Sequence, residues 1–232
     1  MANTCFTSWF LVGPKADVKR IYEQVTLMSR AEQDALRGGR RMEAWPLYTL
    51  LKNLGADAPY EGDYRMEFIN AEACYETSGE EASLLFVSED AWGPKTAAMG
   101  LLKKAFPKVR MLFSSEEDSM GYFFTNDKDS VHFTGRYVVD ANLPLGDSCY
   151  EYFKDEKELV AWVNGPFADT LKRLYGETVN VDGIKDARGI DERLQEIDED
   201  AYFYVYDVVL DESAVWLGEG GPEEPAREKT AA

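Results

Sequence analysis

The chain has 232 residues, 45% of them hydrophobic and 13% aromatic, which is enough for a real core and unlike a disordered segment. Its 43 acids outweigh its 25 bases to a formal net charge of -18, a field that repels nucleic-acid backbones and anionic membranes. One histidine and three scattered cysteines without a CxxC pair exclude a structural zinc site and predict free thiols of a reducing cytoplasm; no metal or cofactor is expected.

The first residues, MANTCFTSWFLV, lack the basic region of a signal peptide, and no apolar run reaches the length of a membrane span. Residues 4–12 are apolar on both alternation sets, the pattern of a central strand covered on both faces. Gly13-Pro14 ends it, and Val18, Ile21, Tyr22, Val25 and Met28 then recur at helical spacing. Residues 30–63 read as an insertion containing RGGRR (37–41) and a short helix ending at Gly55. Strands are expected over 64–75 and 81–88, joined as a hairpin through Gly79. After EDAWGP a helix presents Ala98, Leu101, Leu102 and Ala105 and stops at Pro107; strands follow at 109–114, 121–126 and 131–139.

The order to residue 139 is β-α-β-β-α-β-β-β. It predicts an α+β protein, a ferredoxin-like split β-α-β with additional antiparallel strands and a mainly helical C-terminal extension. Domain 1–145 carries this unit; 146–216 is an acidic helical extension with one strand, packed on the first; 217–232 is a disordered tail. In the extension, Asp155 and Glu158 form a capping box before Leu159, and Gly165-Pro166 interrupts a helix that resumes at Leu171. A short helix around Ile190, Leu194 and Ile197 leads into the strand 201–210. From Glu177 onward there are 16 acids against 5 bases, so most of the excess negative charge lies there.

Two sets of residues could carry function. Glu89 and Asp90 sit at a strand end beside Trp92, whose indole could wall off a carboxyl and raise its pKa; Glu117, in the later acidic cluster 116–118, could supply a second carboxylate. The plainer alternative has Asp90 or its neighbours capping the helix, Pro94 starting it and Trp92 packed over its end. His132 shares an alternation set with Thr134 and Arg136 and is expected on a polar sheet face; any Ser-His or Cys-His chemistry would run through it. Cys5, inside a core-like strand, reads as a small hydrophobe, and RGGRR as a solvated basic loop, since no P-loop pattern occurs. Tyr202, Tyr204 and Tyr206 alternate on one strand face; sheet aromatics stack bases in RNA-binding domains, but the acidic context favours packing or a protein partner.

Several stretches taken together resemble one known family: MANTC at the first strand, VGPKADVKRIYEQV after it, SEDAWGPKTAAMGLLKKAFPKVRMLFSS in the middle and GYFF with HFTGRYVVDANLP later. They are similar to the YubB-like ferredoxin-like proteins, plasmid-, phage- and bacterially encoded and of unknown function. The resemblance covers about residues 1–145. Its most recognisable parts are Asn3-x-Cys5 and the Ala91-Trp92-x-Pro94 corner with its Phe106-Pro107 stop; Thr4 and Gly93 depart from the family pattern. It implies a ferredoxin-like fold and carries over no catalytic residue.

The leading expectation is a cytoplasmic, non-enzymatic binding protein with a protein partner, using Trp92, Tyr202, Tyr204 or Tyr206. The alternatives are an acidic DNA mimic or mobile-element accessory protein, and a small-molecule enzyme acting through Glu89, Asp90, Glu117 or His132.

Overall fold

The computed structural model describes residues 4–39, 45–117, 120–144, 146 and 148–220, excepting the side chains of 69–73. In chain order the elements are β1 (Thr4–Pro14), α1 (Lys15–Arg37), α2 (Pro46–Asn53), β2 (Met66–Ser78), β3 (Glu81–Ala91), α3 (Thr96–Ala105), β4 (Arg110–Glu117), β5 (Tyr122–Thr125) and β6 (Tyr137–Asn142). Then come β7 (Cys149–Phe153), α4 (Glu156–Trp162), α5 (Ala168–Tyr175), α6 (Ile184–Arg188), α7 (Ile190–Ile197), β8 (Tyr202–Leu210) and α8 (Val215–Gly218). The protein is α+β, and it divides into two compact units. One holds described residues 4–120, 124–132 and 210–220; the other holds 121–123 and 133–209. The division falls at other positions than the expected boundary at 145, which itself lies outside the described residues.

In the first unit the strands run in the order β2-β3-β1-β4, every pair antiparallel. Strand β1 alternates strictly: Cys5, Thr7, Trp9 and Leu11 are buried, whereas Phe6, Ser8 and Phe10 keep some exposure. The expected double coverage therefore holds for one face only. That face packs on α1 through Val18, Ile21, Val25 and Met28 and on α3 through Ala98, Met99 and Leu102. Full burial of side chains such as Trp9, Ile21 and Leu84 contributes about 2 kcal/mol apiece.

Helix α1 runs to Arg37 without a break, because Ala31, Ala35 and Leu36 are good helix formers and no Gly or Pro intervenes. Residues 30–37, placed in an insertion by the sequence, are thus helical. Of RGGRR, residues 40 and 41 lie outside the described residues. Leu217, assigned to a disordered tail, is instead fully buried in this unit's core within α8. The Asn126 side chain stitches the same region together: its Nδ2 donates to the carbonyls of Met111 and Ala214, and its Oδ1 accepts from the Phe113 N–H. The tail from residue 221 lies outside the described residues.

The second unit is built on the antiparallel order β8-β6-β7, with α4, α5, α6 and α7. Val139, Ala141, Phe153 and Phe203 turn one sheet face toward Leu159, Val163, Phe167, Leu171 and Leu194. This is more than an extension with one strand, since β7 went unrecognised in the turn-rich sequence around 141–149. The Asp155 side chain accepts from Glu158 N–H, and Glu158 answers by accepting from Lys154 N–H. At Gly165-Pro166 the helix does not stop. It passes through a π-helical turn, Val163–Phe167, that absorbs the proline and continues into α5.

Strand β6 starts at Tyr137, so His132 does not lie on a strand. Side chains satisfy the backbone just before it: Asp127 accepts from the N–H groups of Val131 and His132, and Arg136 donates to the carbonyls of Phe133 and Gly135.

Candidate functional site

The helix-covered face of the first unit changes character along its length. In register, Leu11, Trp9, Thr7 and Cys5 of β1 meet Leu84, Phe86, Ser88 and Asp90 of β3. On the other side Trp9 and Thr7 meet Phe113 and Ser115 of β4. One end is apolar and the other is polar and equally buried. There the Thr7 hydroxyl donates to Asp90 Oδ2 at 2.6 Å. Its single proton is thereby committed, so Ser115 is the donor in the 2.9 Å Thr7–Ser115 contact. Trp9 Nε1 donates to Ser88 Oγ at 3.1 Å.

Asp90 is fully buried, and its Oδ1 has no hydrogen-bond partner among the described residues. Burial pushes its carboxyl up to about 7, against the Thr7 and Ser88 hydroxyls and the Lys95 ammonium, which favour the charged form. Buried Lys95 donates to Asp63 Oδ2 at 3.0 Å and to the carbonyl of Ala91. Asp63 is also gripped by Arg65, and the two cations hold its carboxyl well below the usual carboxylate range. Burial first, then Glu117 and Asp90, push the Cys5 thiol up to about 11, which makes it a poor nucleophile.

The expected acid-base set does not converge. Asp90 and Glu117 lie in the buried set, two strands apart across β1, or about 10 Å of sheet. Glu89, one residue from Asp90 in a strand, points to the opposite face. His132 stacks its ring on Phe10 at 3.6 Å, on the face away from Trp9, and burial lowers its pKa although Asp127 opposes the shift.

Trp92 neither walls off Asp90 nor packs over α3. It has a left-handed φ of 67°, is followed by Gly93 at 117°, and leaves its side chain 61% exposed. Asp90 belongs to β3 and caps no helix; α3 starts after Lys95 without a side-chain cap. A cavity of about 10 Å³ between Leu171, Val179, Ile190 and Leu194 of the second unit touches none of these residues and has room for one water.

In the second unit Tyr202, Tyr204 and Tyr206 do share a face, the one turned away from the Phe203 side of β8. Register adds two residues that the sequence reading missed. Val138 pairs with both Tyr206 and Tyr152, and Asp140 with both Tyr204 and Tyr150. The rings form a continuous series: Tyr202–Tyr204 stacked at 5.1 Å and 16°, Tyr204–Tyr206 at 6.1 Å, Phe123–Tyr206 at 5.2 Å, Phe123–Tyr150 at 6.3 Å and Tyr150–Tyr152 at 5.9 Å. Tyr150, Tyr152 and Tyr204 remain about two-fifths exposed. The signal for Tyr150 and Tyr152 was present in CYEYF, an alternation too short to stand out beside the glycine and proline before it.

Many acids of this unit serve their own backbone. Glu156 accepts from Ile184 N–H, Asp186 from Asp182 N–H and Asp191 from Phe203 N–H, while Asp207 pairs with Arg188. Among the described residues no group of three His, Cys, Asp or Glu side chains could hold a metal ion, and no helix is long and apolar enough to cross a membrane.

No family model, no curated protein and no solved structure matches the chain.

Proposed function

We propose that this is a non-enzymatic binding protein that docks a protein partner on the tyrosine face of its second unit. The observation carrying this is the convergence of Tyr202, Tyr204 and Tyr206 with Tyr150 and Tyr152 on one sheet face, three of the rings well exposed. Tyrosine supplies large, rigid contact area with a hydrogen-bonding tip at little entropic cost, and it is enriched where proteins meet. The scatter of Glu89, Asp90, Glu117 and His132 over two faces supports a binding role over catalysis. The local duties of Glu156, Asp186 and Asp191 count against an array of phosphate-like carboxylates.

The antiparallel order β2-β3-β1-β4, with helices after β1 and β3, supports a ferredoxin-like reading of the first unit and, through it, kinship with the YubB-like proteins. A cytoplasmic setting follows the thiol chemistry, because all three cysteines are free.

The test is a triple variant, Tyr150→Ala with Tyr152→Ala and Tyr204→Ala, with a melting curve to verify folding. A partner recovered from native lysate by the wild-type chain and lost to the folded variant supports docking here. Equal recovery by both moves the interface elsewhere.

A further inference from the structure

Resting on that assignment of the tyrosine face, we infer that its partner is a cationic polypeptide segment, whose Arg or Lys head group lies on the Tyr202–Tyr204 pair beside Asp140. The two rings are stacked nearly parallel, centroids 5.1 Å apart at 16°, and Tyr204 stays about two-fifths exposed, so the pair presents aromatic surface to a planar cation. Asp140 stands opposite Tyr204 in register and accepts a hydrogen bond from the Tyr202 hydroxyl at 3.3 Å, so a carboxylate is set among the rings. Burial and Asp140 both raise the Tyr202 phenol, which therefore stays neutral and keeps its proton.

One end of the face also carries negative charge. Asp198-Glu199-Asp200 leads directly into β8, Glu199 and Asp200 are exposed, and Asn142 of β6 holds the Asp200 carbonyl at 3.1 Å. The net charge of -18 steers cations toward the chain as a whole. Aromatic sheets also stack nucleobases, but the carboxylates that attract Arg and Lys repel the phosphates bases carry with them.

The test uses the full chain at about 0.15 M salt. Three fluorescent probes are titrated: a short Gly/Arg peptide, the same peptide with citrulline for arginine, and a single-stranded RNA of equal length. The expected result is saturable binding of the arginine peptide, with about tenfold weaker binding for the citrulline peptide, for Asp140→Asn and for Tyr204→Leu. Tyr204→Phe, which keeps the ring, retains binding and guards against misfolding of the leucine variant. Citrulline binding as tight as arginine, but weakened by Tyr204→Leu, overturns the cationic partner and leaves the tyrosine face as a docking surface. Arginine binding unchanged in both Asp140→Asn and Tyr204→Leu is attraction to overall charge and overturns both conclusions. No arginine binding, or tighter binding of RNA, overturns the cationic segment outright.

Discussion

Thr7 and Asp90, 83 positions apart in the chain, are joined by a 2.6 Å hydrogen bond in the buried end of the first unit's sheet. The bond binds the central strand to its neighbour and gives Asp90 Oδ2 its partner. Thr7→Val keeps the shape and removes the donor, which costs about 2 kcal/mol by leaving a buried carboxyl oxygen unsatisfied. Urea unfolding of the variant measures this; a change below a few tenths would mean that water already reaches Asp90.

Asp90 also makes stability depend on pH. Its carboxyl is raised from 3.8 to about 7 in the folded chain. Between about pH 4 and 7 the folded chain therefore holds a proton that the unfolded chain has released. The contribution of Asp90 is fully present below pH 4, falls as pH rises through that window, and is lost above 7. Asp90→Asn cannot titrate, so relative to wild type it gains on the order of 4 kcal/mol between pH 4 and pH 8. Paired denaturation curves across that range test the sign, and a constant offset would show that Asp90 ionises as it does in water.

Glu32 is expected to follow the same direction. It is nearly buried on α1, it accepts from the N–H of Phe68 on β2, and burial raises its carboxyl to about 7. Glu32→Gln therefore also gains relative to wild type as pH rises from 4 to 7, and hydrogen exchange at the Phe68 amide in the wild-type chain reports whether the contact survives at both ends.

The thiols differ in reactivity for the same reason. Cys74 is exposed, whereas Cys5 and Cys149 are raised to about 11 by burial and neighbouring carboxylates. At pH 8 the last two are thiolate in only about one molecule per thousand. A disulfide reagent should modify one thiol promptly in the native chain and all three after denaturation. Prompt reaction of Cys5 would contradict its burial.

Trp92 carries backbone strain and leaves most of its indole in solvent. At φ 67° a bulky side chain costs roughly 1 kcal/mol, and the indole is 61% exposed. Trp92→Asn, which tolerates that conformation, raises the melting temperature. A drop instead would reveal that the indole packs on something in solution.

Close approach, rather than conformation, explains Gly100 in α3. A Cβ there would sit 3.1 Å from the rim of Trp216, the residue beside buried Leu217. Gly100→Leu is expected to displace the indole and cost about 1–3 kcal/mol, read as a lower melting temperature with red-shifted tryptophan emission. An unshifted spectrum would separate Trp216 from α3.

Much of the architecture is local and was legible in sequence. The existence of β1, the helical spacing of α1, the Asp155–Glu158 cap and the order of the first elements each depend on residues a few positions apart, whereas the one-sided burial of β1 did not show in its composition. The tyrosines of β8 were legible as a row because a strand sends every second side chain to one face. Tertiary structure decided what those rows meet. Strand pairing brought Tyr150 and Tyr152 beside Tyr202, Tyr204 and Tyr206, and it set Asp90 against Thr7 while the pleat sent Glu89 the other way. Likewise Asp127 holds the amide of His132, which lies off any strand and stacks on Phe10. Composition and periodicity determine which residues can share a face, because they act through the chain's own geometry. Which faces meet, and which carboxylate loses its water, depends on contacts between segments distant in sequence, where burial outweighs local preference.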